Sequence, residues 1–505
     1  MRTGHLLSLG VLLSATFAAG QGGIGPITTQ VPKAKQDVGH PATTIAPGYR
    51  MKIVAQGTDA LENPSGLITT FGRLSDGTAT EPDQNLYLVM PSNPGGPVPG
   101  YDYGRHFVFQ GHENGSNLAY VTRVNLDVKD PAHKITLLTP EGQGGLTNFN
   151  SLDGITYNPF TKKILTTSEN GSNGGVIELG SKWPANPTTL YGILGQGGYE
   201  GIHVDDLGNI LLVEDSGGVS VNVDPNDLNS PKVAKQPNSF VYRFVPYDKG
   251  NLSAGGQLQA LQVSIDGLPV VFNANDPVGD VFSLNQLRLH TPGTSYPVQW
   301  VTVHDTAVDG TAPFSANAAA KTALATPFKR PENGFFLPGS HFLTFFFCPT
   351  GDTDSLSGNV TELAERGAWG SIFRVDLNSD RASGLISIFV LGDAVHSSFD
   401  NITFADETTL LTTEDRGNTL HTELNTLDSV WAYSVNGSQP PLRFVAVGRD
   451  ATSEAEGEDN EPTGMHVSAG NPRALPGTLG DLFNARAFLT QQHGDNVLFE
   501  VGKRF

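Results

Sequence analysis

Three segments of the chain repeat one order of apolar and polar positions. Gly154-Ile-Thr-Tyr leads to Lys163-Ile-Leu-Thr-Thr-Ser-Glu169-Asn170-Gly171. Gly201-Ile-His-Val leads to Asn209-Ile-Leu-Leu-Val-Glu214-Asp215-Ser-Gly217, and Asn401-Ile-Thr-Phe leads to Thr409-Leu-Leu-Thr-Thr-Glu414-Asp415-Arg-Gly417. Each copy predicts an apolar strand, a polar turn, and a second strand that ends in an acid before a glycine turn. Weaker copies are His106-Phe-Val-Phe-Gln-Gly-His112-Glu113-Asn114-Gly115 and Gly464-Met-His-Val. Phe240-Val-Tyr-Arg-Phe-Val and Gly370-Ser-Ile-Phe-Arg-Val look like a further recurring strand. Helical patterning is confined to short patches near Ala318–Ala325 and Thr361–Arg366.

Strand pairs recurring at about one blade length describe an all-β chain built as a β-propeller. A β-sandwich is the alternative, but it gives no reason for the same acid to end a strand in several copies. In a propeller, equivalent positions are related by rotation about one axis. Glu113, Glu169, Glu214 and Glu414 would then converge at one mouth of the channel. Converging carboxylates repel unless protons or cations neutralise them. Acids and glycines also cluster in ordinary turns, yet the shared residue here is glutamate, a poor turn former. Oxygen ligands without His-x-x-x-His or Cys-x-x-Cys spacing favour Ca²⁺ or Mg²⁺ over Zn²⁺.

Composition narrows the setting. The 505 residues include 59 Gly and 33 Pro, as many tight turns require. A formal net charge of −20 argues against nucleic acid or an anionic membrane surface as partner. Residues 1–20 read as a secretory signal, with Arg2, an apolar run from Leu6 to Phe17, and the small residues Ala18-Ala19-Gly20. Residues 21–48 read as an irregular N-terminal arm and 49–505 as a single propeller domain. A secreted or periplasmic monomer is expected. Cys348 is the sole cysteine, so no internal disulfide is available. It reads as a buried small hydrophobe, and the acidic run Glu454–Glu461 as a solvated loop, with Glu461 a possible site residue.

Other polar clusters stand at strand starts: Tyr199-Glu200-Gly201, Arg330-Pro331-Glu332, Asp400-Asn401 and Glu461-Pro-Thr463-Gly464. Arg330 is the candidate anion clamp, because a guanidinium grips phosphate through two parallel hydrogen bonds. It precedes Pro331, which predicts an extended backbone.

Glu214-Asp215-Ser-Gly-Gly, Asn238 to Pro246 and Leu252 to Leu261, followed by the clusters from Arg330, Asp400 and Glu461, resemble the PhoX family of alkaline phosphatases. The resemblance runs from about Gly111 to the C-terminus. It implies a six-bladed propeller that carries calcium and iron on its axis and hydrolyses phosphate monoesters. It implies Glu169, Glu200 and Glu332 as metal ligands and Arg330 as the phosphate holder; Asp400, Glu414 and Glu461 match acidic motif positions. The sequence departs from the family in three ways. Asn148 to Gly154 holds no cysteine where the family has an iron ligand, Asn170 stands where a second glutamate is usual, and the leader lacks a twin arginine. Calcium is therefore the expected cofactor, and Fe³⁺ is expected to be absent or weakly held.

Three functions follow. The first is a calcium-dependent phosphomonoesterase acting on a small phosphorylated substrate. The second is an esterase or lactonase propeller with one calcium, which needs no arginine clamp. The third is a non-catalytic secreted propeller that keeps calcium for stability.

Overall fold

The computed structural model describes residues 24–504 except 30, 36–42, 140–141, 449–459 and 472–484. The signal segment, much of the N-terminal arm and the acidic run before Asn460 lie outside the described residues.

The described residues form six antiparallel four-stranded meanders. Blade one runs Glu81–Val89, His106–Glu113, Tyr120–Asn125, Ile135–Leu137, and blade two Leu152–Asn158, Lys163–Ser168, Gly175–Gly180, Thr188–Thr189. Blade three is Tyr199–Val204, Ile210–Glu214, Val241–Pro246, Gly256–Ile265, and blade four Pro331–Phe336, Thr344–Pro349, Ser371–Leu377, Ser383–Leu391. Blade five is Phe399–Asp406, Thr409–Glu414, Ser429–Ser434, Leu442–Ala446; blade six is Pro462–Ser468, Arg486–Gln491, Val497–Lys503 and, from the other end of the chain, Tyr49–Ala55. The first strand of every blade touches the first strand of the next, and the sixth touches the first, so these strands ring one axis. Pairing of Tyr49–Ala55 with Val497–Lys503 fastens the two ends of the chain together.

The apolar runs of the sequence have a direct cause. Each blade is covered on both faces, so alternate side chains enter different cores rather than a core and solvent. Ile210 and Leu212 pack with Leu165 and Val176 of blade two. Leu211 and Val213, between and after them, pack with Phe345, Phe347 and Phe373 of blade four. The remaining interfaces between neighbouring blades are filled in the same way.

Two edges are protected. Tyr296–Asp305 pairs with the outer strands of both blade three and blade four, covering their exposed ladders. The N-terminal arm is partly regular: Thr44–Ile45 pairs with the outer strand of blade five. A hairpin inserted in blade three, Ser220–Asn222 with Lys232–Lys235, carries Lys235 toward the axial mouth.

Candidate active site

Every inner strand begins with an interruption of its ladder. The register shifts between Pro82 and Asn85, Leu152 and Ile155, Tyr199 and Ile202, Pro331 and Asn333, Phe399 and Ile402, and Thr463 and His466. A bulge re-aims a side chain at the cost of local pairing. The residues inside or beside these shifts are Asp83, Asp153, Glu200, Glu332, Asp400 and Thr463, five acids and one hydroxyl at one rotational position. Small or amide residues follow them because the next inner strand approaches closely. A Cβ on Gly154 would stand 2.2 Å from the Glu200 carbonyl oxygen, and one on Gly201 2.3 Å from Asn333 Oδ1.

The second strands contribute a second tier. The backbone N–H groups of Glu169, Asp215, Thr350 and Asp415 donate to the carbonyls of Ser151, Gly198, Arg330 and Ser398 at 2.8 Å, and that of Gln492 to Glu461 at 2.9 Å. In blade one Glu113 follows His112, the ladder partner of Pro82. Glu113, Glu169, Asp215 and Asp415 are thus the phase-matched acids.

Glu214 and Glu414 stand one residue earlier, opposite Tyr199 and Phe399. A one-residue offset in a strand reverses the face a side chain meets. Glu214 Oε2 accepts from Tyr242 Oη at 2.9 Å, Asn317 Nδ2 at 3.1 Å and Phe240 N at 3.2 Å. Glu414 Oε1 accepts from Arg416 Nη2 at 2.6 Å. The structure therefore brings Glu113, Glu169, Glu200, Glu332 and Asp400 together at the mouth and places Glu214 and Glu414 inside the blades. Glu461 lies at the rim, 3.2 Å from His493 Nε2. Thr463 occupies the acid-equivalent position and donates to Asp83 Oδ1 at 2.5 Å.

Sequence reasoning did not select Asp83, Asp153, Asp215 or Asp415. For Asp83 and Asp153 the available signal was the start of the inner strand, where an acid precedes glycine or an amide in five copies; for Asp215 and Asp415 it was the ungapped count from Ile210 and Leu410, which matches that from Ile164 to Glu169. Lys235 and His493 were also missed, and no pattern pointed to them.

The mouth concentrates negative charge. Burial, then neighbouring carboxylates, push Glu113, Asp153, Glu200, Glu332 and Asp400 well above the usual carboxylate range. Burial raises Asp83 to about 6 and Glu169 to about 8. Asp153 and Glu200 each act on the other's ionisation, so this close pair calls for a shared proton or a cation.

Arg330 is the main counter-charge. Its Nε donates to Asp215 Oδ2 at 2.8 Å and its Nη2 lies 3.4 Å from Glu332 Oε1. Lys235 stands within electrostatic reach of Arg330, Asp215 and Glu332. The backbone at Arg330 is left-handed, φ 53°, not the extended form expected before proline. Its carbonyl must accept from Thr350, as the carbonyls of Ser151 (φ 42°) and Ser398 (φ 53°) accept from their partners. Such strain persists only where the surroundings fix it, often at functional sites.

These residues fit hard cations. Asp83, Glu113 and Asp153 each offer an oxygen within 4.8 Å of one another, and so do Glu169, Glu200 and Asp215. Asp215 Oδ1 is buried and finds no hydrogen-bond partner among the described residues. All-oxygen donors with excess negative charge suit calcium. The thiol that the family resemblance gives to iron is absent: no cysteine faces these oxygens. Asn150, in the cysteine-free segment, is bonded to Asn117. Cys348 is packed in the core between blades four and five, and its Sγ donates to the Asp400 carbonyl at 2.6 Å. Burial pushes that thiol's pKa up, away from the thiolate a metal needs.

Residues 219–468 match the family model described as alkaline phosphatase PhoX. The chain is PhoX-like. PhoX of Pseudomonas fluorescens, solved in complex with vanadate, a transition state analogue, superposes with a TM-score of 0.59 at 12% identity, covering 95% of this chain and 98% of that one. At that identity the likeness establishes a shared propeller fold. A gluconolactonase of Xanthomonas campestris aligns at TM-score 0.40 and 9% identity, covering 95% of this chain and all of that one; so distant a match carries no argument about activity. No curated protein matches the chain. Among the described residues, no helix of this PhoX-like chain is long and apolar enough to cross a membrane.

Proposed function

We propose that the chain is a secreted, calcium-dependent phosphomonoesterase. The observation that carries this reading is Arg330 at the axial mouth, flanked by Asp215 and Glu332. Cation binding alone does not require a guanidinium among carboxylates; binding an anionic substrate there does. A bound divalent cation supplies Lewis acidity toward phosphoryl oxygens.

The chain's own groups do the rest. Asp83, Glu113 and Asp153 on one side, and Glu169, Glu200 and Asp215 on the other, are the proposed cation holders, with Glu332 and Asp400 completing the enclosure. Arg330 has about a fifth of its side chain exposed, so the outer edge of its guanidinium can meet a phosphate at the mouth. Asp215 fixes its orientation, and Arg330 opposes the charge that develops on the transferred group. Lys235 adds positive potential on the same side. The leading residues, with their short apolar run, support export.

The direct experiment is turnover of p-nitrophenyl phosphate after chelation and calcium refilling, beside ester and lactone substrates. Calcium-restored phosphate release supports the reading. Release from lactones alone, or from nothing, overturns it; the latter would leave a calcium-stabilised propeller without catalysis.

A further inference from the structure

Beneath the carboxylates the inner strands surround a second small space, in which a few polar side chains stand among Leu86, Ile155, Ile402 and Met465. It is a cavity of about 20 Å³, with Asn85, His203, Asn333, Phe335, Asn401 and His466 on its walls. That is room for a water molecule or a single ion. No carboxylate or lysine lines it, so its chemistry differs from that of the mouth.

Two histidines occupy one position of the repeat. His203 follows Glu200 by three residues, and His466 follows Thr463 by three. Both line this cavity, each just beyond the bulge at its strand start. His203 is 6% exposed, and the Phe335 ring packs edge-on to it at 4.5 Å between centroids. Both ring nitrogens of His203 and Nε2 of His466 are buried and make no hydrogen bond of proper geometry among the described residues, although the Asn333 side chain approaches His203. The same is true of Asn85 Oδ1. The Asn85 amide nitrogen is committed to the Gly464 carbonyl and to Thr490 Oγ1, which fixes where its oxygen points. Buried polar atoms are rarely left unpaired, and here the unpaired atoms belong to three blades around one small space.

Two imidazole nitrogens and an amide oxygen form a borderline donor set, suited to late first-row divalent ions rather than to calcium. The acids of the mouth supply the negative potential these neutral donors lack. We propose that His203, His466 and Asn85 hold a zinc-class divalent cation on the propeller axis, separate from the carboxylate mouth. Such an ion would tie blades one, three and six together across the channel.

The test uses the full chain, stripped with chelator and refilled with excess calcium to occupy the carboxylates. Zinc is then titrated against a chromophoric competitor. One zinc per chain is expected in the wild type. Changing both His203→Phe and His466→Phe should weaken its affinity at least 100-fold, with calcium content unaltered. A second measurement needs no variant. In protein labelled with ¹⁵N-histidine, zinc should shift the ring nitrogens of two of the 13 histidines. Equal zinc binding by wild type and double variant overturns the site. So do unshifted ring nitrogens, or no zinc beyond the mouth, in which case the cavity holds water only.

Discussion

Arg330 Nε and Asp215 Oδ2 stand 2.8 Å apart, joining the start of the inner strand of blade four to the end of the second strand of blade three. The pair carries the argument for an anion at the mouth. Asp215 orients the guanidinium, and Glu332 limits its swing from the other side.

Replacing this arginine should therefore damage catalysis more than folding. Arg330→Ala should lower phosphomonoester turnover by orders of magnitude, with calcium retained. Arg330→Lys should rescue only part, since an ammonium cannot reproduce two parallel hydrogen bonds. Steady-state kinetics with far-ultraviolet circular dichroism separates the outcomes. Equal activity in wild type and Arg330→Ala would reduce Arg330 to a structural counter-charge for the buried Asp215 and Glu332.

The propeller was legible because the second strands of blades two, three and five repeat almost residue for residue. The ring was legible only in part. Glu169, Glu214 and Glu414 match only as residue types: counted from Ile164, Ile210 and Leu410, and in the backbone pairing, Glu169 falls with Asp215 and Asp415. Identity of side chain misled where register decides: the strand start carries the phase, and matching glutamate to glutamate slipped it by one residue. Asp153 stands directly before the Gly154 motif that defined the repeat, yet its role depends on a bulge, and bulges leave little trace in composition. The left-handed Arg330 was hidden for a similar reason: a long-range bond from Thr350 outweighs the local preference before proline.

Without cations the mouth should make stability fall as pH rises. Unfolded carboxylates titrate near pH 4, whereas folded Asp83 and Glu169 titrate at about 6 and about 8. The folded state therefore holds more protons between about pH 4 and 8, and stability declines through that window. Calcium binds the ionised folded state and should raise the melting temperature most at the upper end. Melts from pH 5 to 9, with chelator and with calcium, test both signs. A chelated protein that gains stability from pH 5 to 8 would contradict the charge arrangement.

Iron should be absent or held weakly. The cysteine-free segment offers Asn150 and Ser151, and the Cys348 thiol is bonded to the Asp400 carbonyl. Elemental analysis and visible absorption of the purified protein should show calcium and no stoichiometric iron. A coloured protein with one iron per chain would mean that oxygen ligands alone retain it.

The one-residue offset can be tested within a single dipeptide. Asp215 faces Arg330 and offers a buried oxygen to the Glu169 and Glu200 group. Glu214, its neighbour, is enclosed by Tyr242, Asn317 and the Phe240 N–H, and burial raises it to about 7. Asp215→Asn should release one equivalent of calcium, loosen Arg330 and depress turnover, with little change in the stability of the chelated protein. Glu214→Gln should leave calcium stoichiometry and turnover intact. Its amide oxygen can still accept from Tyr242, so the stability change should stay near about 1 kcal/mol. Calcium counting by atomic emission, beside chemical denaturation, reads both. Were Glu214→Gln to lose the cation and Asp215→Asn to keep it, the mouth would be lined by the other face of the strand and the rotational match across blades would fail.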